Sequence, residues 1–169
     1  EHFEPFESPT ANAFNGAAHN PCARFTEDKS VRRGEAGDYP YVCTTYSVTE
    51  HWQSGTQTRN IPWLNELVPC NFIELSEELA KEKGIKTGDD VRVWNNRGSV
   101  VVKAMVTIRM QPMQVNGKLT HVVGMPHHFS WATKLATGDN VNDLTPNVGD
   151  PNSYIPEYKA FLVTIEKAA

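Results

Sequence analysis

Residues 41–52, Tyr-Val-Cys-Thr-Thr-Tyr-Ser-Val-Thr-Glu-His-Trp, carry a dense set of hydrogen-bonding groups at the end of a strand-like run. An apolar, β-rich run behind Pro40 opens into Thr44, Thr45, Tyr46, Ser47, Thr49, Glu50, His51 and the indole of Trp52. Hydroxyls and backbone N–H groups at a strand end can bind a phosphate or the edge of a ring, and an imidazole can donate to either. The plainer alternative is a polar strand end in solvent.

A second cluster is Gly124-Met125-Pro126-His127-His128-Phe129. Adjacent histidines suggest a metal, but neighbours on a strand point to opposite faces, so at most one reaches a common ion. No third ligand stands at a usual spacing. Hydrogen bonding to a ligand by one of them fits better. The third cluster, residues 142–159, is rich in Asn, Asp and Pro. Asp150-Pro151-Asn152 is turn chemistry. Its oxygens lack the spacing and terminal Glu of an EF-hand loop. Asn amides read purine or pterin edges well, since each offers a donor and an acceptor. Absent are a Ser/His/Asp hydrolase motif, a Walker loop, a Gly-x-Gly-x-x-Gly run and any nucleophile beside an evident base. The residue chemistry is that of a ligand-holding domain rather than a complete catalyst.

The elements that must present these clusters are mostly strands. Strands are expected over residues 39–48, 70–75, 91–94, 99–110 and 158–165, with hairpin turns at 95–98 and 116–117. Ser76 caps a helix over 77–83, with Glu77 and Glu78 in its first turn, Lys81 and Lys83 in its last, and Gly84 closing it. Pro62 could open a short helix over 62–67. Residues 124–140 read as loop with a short helical piece, and 142–156 as loop. Six or seven strands with one clear helix and long loops fit a closed or nearly closed β-barrel. Residues 1–38 read as an extended arm with Phe3, Phe6, Phe14 and Phe25 as anchors against partner domains; the alternative is a disordered terminus. Residues 39–169 form the domain proper.

The 169 residues suggest one domain with a sizeable core, and hydrophobic residues make up 39%. The net charge of −4 and the absence of a basic stripe argue against nucleic acid. No apolar run approaches the ~20 residues of a membrane span, and no signal peptide is evident. A chain that opens on Glu1 is expected to be processed, a fragment, or the tail of something larger. Cys22, Cys43 and Cys70 are far apart and odd in number, so they read as small buried hydrophobes or free thiols, not as a disulfide framework or a zinc site.

Several blocks carry a resemblance. Tyr39-Pro40-Tyr41 leads into Thr44–His51, followed by Phe72-Ile73-Glu74-Leu75-Ser76-Glu77-Glu78-Leu79-Ala80 and Gly88-Asp89-Asp90-Val91. Then come Val115-Asn116-Gly117, Gly124-Met125-Pro126, Leu144-Thr145-Pro146-Asn147-Val148-Gly149-Asp150 and Pro156-Glu157-Tyr158-Lys159-Ala160-Phe161-Leu162-Val163. Together with the opening Glu1-His2-Phe3-Glu4-Pro5-Phe6-Glu7, they resemble the C-terminal molybdopterin-dinucleotide-binding domain of the catalytic subunit of molybdenum or tungsten formate dehydrogenases, respiratory and periplasmic type.

The resemblance implies a double-psi β-barrel, in agreement with the strand tally. It implies oxidation of formate to carbon dioxide, with electrons passed to iron–sulfur clusters in anaerobic respiration. It also implies two molybdopterin guanine dinucleotides per enzyme carrying Mo or W. Partners are the remaining domains of the large subunit and an iron–sulfur electron-transfer subunit. The selenocysteine or cysteine metal ligand lies in other domains, so this chain has no catalytic or metal-ligating residue and is inactive alone. Carried over, cofactor contacts fall at Thr45, Tyr46, Glu50, His51, Trp52, His128, Phe129, Asn142, Tyr158 and Lys159. The chain departs from the family around 127–131, where a His-Trp-Gly-type run is more usual and His128-Phe129-Ser130 stands instead. Another molybdopterin oxidoreductase, of nitrate or polysulfide reductase type, is the nearest alternative; residues 142–163 argue against it. A non-catalytic β-barrel interaction module is the other alternative. Location in the periplasm follows from the likeness alone; the cytoplasm is the alternative.

Overall fold

The computed structural model describes residues 4–12, 23–24, 31–130 and 139–169. Phe3, Phe14, Pro21, Cys22, Phe25 and Trp131 lie outside the described residues.

Local signals decide both helices. Helix α1, Pro62–Leu67, starts on its proline behind extended Ile61. Helix α2, Glu77–Lys83, is capped by Ser76, whose hydroxyl accepts from the Leu79 N–H at 3.1 Å. Gly84 ends it in the left-handed conformation at φ 65°.

The strands are β1 Ala23–Arg24, β2 Tyr41–Tyr46, β3 Phe72–Leu75, β4 Asp90–Trp94, β5 Ser99–Val106, β6 Met113–Val115, β7 Lys118–Thr120, β8 Val122–Pro126, β9 Val148–Gly149 and β10 Phe161–Lys167. Six of them close a barrel in the order β10-β2-β8-β3-β5-β4. Two pairs are parallel, β2 with β8 and β3 with β5, while β10 runs antiparallel to both of its neighbours. This is a double-psi β-barrel. Strict alternation builds its interior. On β5, Val100, Val102 and Ala104 are buried while Val101, Lys103 and Met105 are exposed. Ile73, Leu75, Leu79, Val91, Val93, Val123, Met125, Phe161, Val163 and Ile165 complete the core. Cys43 is buried inside the barrel, which pushes its thiol pKa up and leaves it unreactive; it and Cys70 are free.

Several boundaries differ from the sequence expectation. The strand expected over 99–110 stops at Val106, and the Thr107 N–H turns to the Leu75 carbonyl at 3.0 Å. The segment read as loop from 124 onwards begins as β8. Its Gly and Pro mask a buried strand: a Cβ on Gly124 would lie 2.7 Å from the Tyr46 ring and 2.4 Å from the tip of Met110. The 142–156 loop contains a 3-10 turn, Val141–Asp143, and β9, which pairs with β1. The last strand begins at Phe161 rather than 158, leaving Tyr158 and Lys159 in the approach to it. Hairpin β6–β7 turns on Asn116 and Gly117, both at positive φ, as Asn-Gly requires.

The described part of the arm lies on its own barrel, where Phe6 and Glu7 are fully buried. No helix among the described residues is long and apolar enough to cross a membrane.

Candidate cofactor pocket

Three chain segments meet beside the C-terminal ends of the parallel strands β2 and β8. Thr45, near the end of β2, points inward with Tyr41 and Cys43. Its hydroxyl donates to the Tyr158 carbonyl at 3.0 Å, and the Lys159 ammonium donates to the Thr45 carbonyl at 2.6 Å. The β2–β8 register sets Tyr46 opposite Pro126, and the pairing continues as the His127 N–H donates to the Tyr46 carbonyl at 3.2 Å. The 3-10 turn adds Asn142.

Between these segments lies a cavity of about 390 Å³ lined by Thr45, Gln53, Ser54, His127, Asn142, Tyr158 and Lys159. Among the described residues that line it, Lys159 is the one charged group and none is a carboxylate. Burial, and then the charge of Lys159, lower the His127 pKa, so the imidazole is neutral at pH 7. The pocket therefore presents a cation, a neutral imidazole, amides and hydroxyls. Such a donor set suits a phosphate oxygen or the edge of a nitrogen heterocycle.

The structure brings together four of the residues singled out from sequence: Thr45, Asn142, Tyr158 and Lys159. Others stand elsewhere. Tyr46 follows Thr45 and, by alternation, faces the opposite side, toward Gly124 and Glu74. Burial there, reinforced by the Glu74 charge, pushes its phenol pKa up. Glu50 is half-buried and Trp52 is 62% exposed; neither lines the pocket.

His51, His128 and Phe129 are buried as a ring cluster, with His51 edge-on to Phe129 at 5.3 Å and 6.0 Å from His128. Their ring nitrogens are committed to the protein. His51 Nε2 donates to the Val68 carbonyl at 3.0 Å, so its Nδ1, 3.3 Å from Thr58 Oγ1, accepts from that hydroxyl. His128 is the other tautomer. Its Nε2 accepts from the Val48 N–H at 2.8 Å, and its Nδ1 donates to the Gln53 carbonyl. Burial lowers its pKa. These histidines brace the loop that carries Gln53 and Ser54 to the pocket.

Arg59 completes the brace. It is fully buried and donates to the Ser130 carbonyl at 3.0 Å and hydroxyl at 3.1 Å, while its Nε has no hydrogen-bond partner among the described residues. Gly55 closes over it at φ 77°, where a Cβ would lie 2.3 Å from the His128 carbonyl oxygen.

Sequence reasoning missed Gln53, Ser54 and His127. Alternation across the His127–His128 pair was the available signal, but choosing the member that faces the pocket requires the β2–β8 register. Among the described residues, no group of three or more His, Cys, Asp or Glu is arranged to hold a metal ion.

The chain is 47% identical over 171 residues to the formate dehydrogenase subunit alpha of Megalodesulfovibrio gigas and 44% identical over 170 residues to the nitrate-inducible formate dehydrogenase major subunit of Escherichia coli. Each alignment covers 99% of this chain and 17% of the relative, so the chain spans about a sixth of the length of the curated relatives it matches. Among solved structures, acetylene hydratase from Pelobacter acetylenicus matches with a TM-score of 0.56 at 16% identity, over 79% of this chain and 19% of that one; the likeness supports the fold. The family matched is the "Molydopterin dinucleotide binding domain", over residues 41–162, which includes both strands that frame the pocket and all seven of its lining residues. By that match, this chain belongs to the molybdopterin dinucleotide-binding domain family.

Proposed function

We propose that this chain is the cofactor-clasping domain of the catalytic subunit of a formate dehydrogenase. In this reading the pocket holds part of a molybdopterin guanine dinucleotide. The observation that carries it is the pocket lining: Lys159 with neutral donors and acceptors, and no carboxylate among the described residues, at the ends of two parallel strands. An anionic dinucleotide fits that lining. A cavity of about 390 Å³ accommodates one portion of such a ligand, and the remaining domains enclose the rest.

Lys159 would meet a phosphate or pterin oxygen as a charge-assisted donor. Asn142 and Gln53 would read the heterocycle edge, each with one donor and one acceptor. His127, neutral, would donate or accept without adding charge. Thr45 orders the Tyr158 backbone, and its carbonyl holds the Lys159 ammonium in place. When bound, the cofactor supplies the two-electron chemistry with formate. The residues here bind, orient and exclude water.

The finer reading follows the same likeness. The enzyme would carry two such dinucleotides with Mo or W, pass electrons to iron–sulfur clusters in partner domains and an iron–sulfur subunit, and act in anaerobic respiration in the periplasm. The high identity to formate dehydrogenase subunits across nearly the whole chain supports it. The test is to purify the chain with its natural partners and assay Mo, W and guanine nucleotide after acid release. All three absent from an intact complex would overturn the assignment. Formate-dependent dye reduction by the complex then tests the substrate.

A further inference from the structure

Two of the segments that line the pocket lead back to one buried ion pair. Glu7, on the arm, and Arg97, in the turn between β4 and β5, have side chains 0% and 2% exposed. Arg97 grips the Glu7 carboxylate with both terminal nitrogens, Nη1 to Oε1 and Nη2 to Oε2 at 2.9 Å. The carboxylate also accepts from the Gly34 N–H at 2.5 Å and the Leu162 N–H at 2.7 Å.

The remaining donors of this cluster reach both pocket segments. Arg97 Nε donates to the Leu144 carbonyl at 2.8 Å, two residues beyond Asn142. Asn95 Nδ2 donates to the same carbonyl at 2.8 Å and to the Leu162 carbonyl at 3.1 Å. Leu162 is thus held at its N–H by Glu7 and at its carbonyl by Asn95, three residues after Lys159. On the other side of Lys159, Glu157 Oε2 accepts from the Phe6 N–H at 2.7 Å. The arm therefore grips the Tyr158–Lys159 segment from both ends.

We propose that Glu7 and Arg97 are positioning residues for the pocket. The arm, folded onto its own barrel, sets the separation between Asn142 and the Tyr158–Lys159 segment, and through it the cofactor-holding geometry. A buried ion pair adds little net stability over apolar residues of the same volume. A bidentate guanidinium–carboxylate fork instead confers fixed geometry. Here that geometry joins segments separated by 90 and 155 positions in the sequence. The proposal rests on the cofactor reading only in what the pocket holds.

The test compares Glu7→Gln and Arg97→Lys in the complete large subunit with its partners. Arg97→Lys keeps the charge and loses the fork, so it serves if Glu7→Gln fails to fold. Leu79→Ala, in helix α2, which contributes no pocket residue, is the destabilised control. Hydrogen exchange is measured on enzyme from a host unable to make the pterin. Both hub variants raise exchange about tenfold in peptides 141–145 and 157–162 and leave β3 and β5 unchanged, while Leu79→Ala does not single out those peptides. In loaded enzyme the hub variants release guanine nucleotide about tenfold faster than wild type, and Leu79→Ala does not. Unchanged exchange in those two peptides, or nucleotide release equal to that of Leu79→Ala, overturns the proposal. Absence of guanine nucleotide from wild type overturns the cofactor reading alone, because the exchange comparison still judges the hub.

Discussion

Lys159 is tied to Thr45 by its ammonium, which donates to the Thr45 carbonyl at 2.6 Å, while the Thr45 hydroxyl donates to the carbonyl of the preceding residue, Tyr158, at 3.0 Å. A flexible lysine is thereby held in one position in the pocket lining, which lowers the ordering entropy of binding. Lys159→Met removes the charge and keeps the stem. It should leave the fold intact and weaken cofactor retention by ~1.5–3 kcal/mol, the worth of a charge-assisted hydrogen bond. Metal and guanine-nucleotide content of the assembled enzyme checks this; wild-type content in the variant would remove Lys159 from the site.

His127 and His51 should separate cleanly. His127→Ala empties a pocket wall and is expected to lower cofactor content with little change in melting temperature. His51→Ala deletes two buried hydrogen bonds and the packing on Phe129, and should cost about 2 kcal/mol or more of stability. Any loss of cofactor in His51→Ala would then follow the loosening of the Gln53–Ser54 loop. Denaturant melts beside nucleotide assays distinguish the two patterns.

His128 makes the loop brace acid-sensitive. Burial depresses its pKa below 6.5, so the unfolded chain binds the proton more readily than the folded one. Its contribution is complete above about pH 6.5 and is lost as the pH falls from there through the depressed folded value. The direction is the same for His127. Melting temperature measured from pH 8 down to pH 5 should fall on the acid side. His128→Phe, which cannot accept the Val48 N–H, should be less stable at pH 8 and show a shallower acid loss.

Gly55→Ala tests the roof over Arg59. The positive φ alone costs more than about 1 kcal/mol for a residue with a Cβ. The approach of 2.3 Å to the His128 carbonyl oxygen adds a clash with backbone. A strongly destabilised variant with the loop around Gln53 open to protease is expected, and a neutral effect would refute this geometry.

The isolated chain should oxidise no formate, since the proposed function gives it only the clasping of the cofactor and leaves the metal ligand to the rest of the subunit. Formate-dependent dye reduction by the purified, partner-free chain would contradict this.

What could be read from sequence was whatever depends on near neighbours. Helix α2 announced itself through Ser76, its paired glutamates and Gly84, because capping is settled within one turn. The strand that starts at Ser99 was expected as well, though it stops at Val106 rather than at 110. Pocket membership was only half visible. Thr45 and Tyr46 looked equivalent as hydroxyl donors, and only the placement of β2 in the barrel turns one inward and the other out. His128 looked like the better ligand, yet the β2–β8 pairing buries it and presents His127. Nothing near Glu7 in the chain indicates Arg97, and nothing near Arg59 indicates that it is fully buried. Such partnerships exist only after the barrel has closed.

That closure has a temporal side. Strand β10 is the stave between β2 and β4, pairing Phe161 with Cys43 and Ile165 with Val93. Until β10 arrives, β2 and β4 each present an open edge, and open edges invite pairing with other chains. On the ribosome the barrel therefore remains unsealed until its last strand emerges. Chains truncated before Phe161 should therefore accumulate as aggregates rather than as a smaller folded domain.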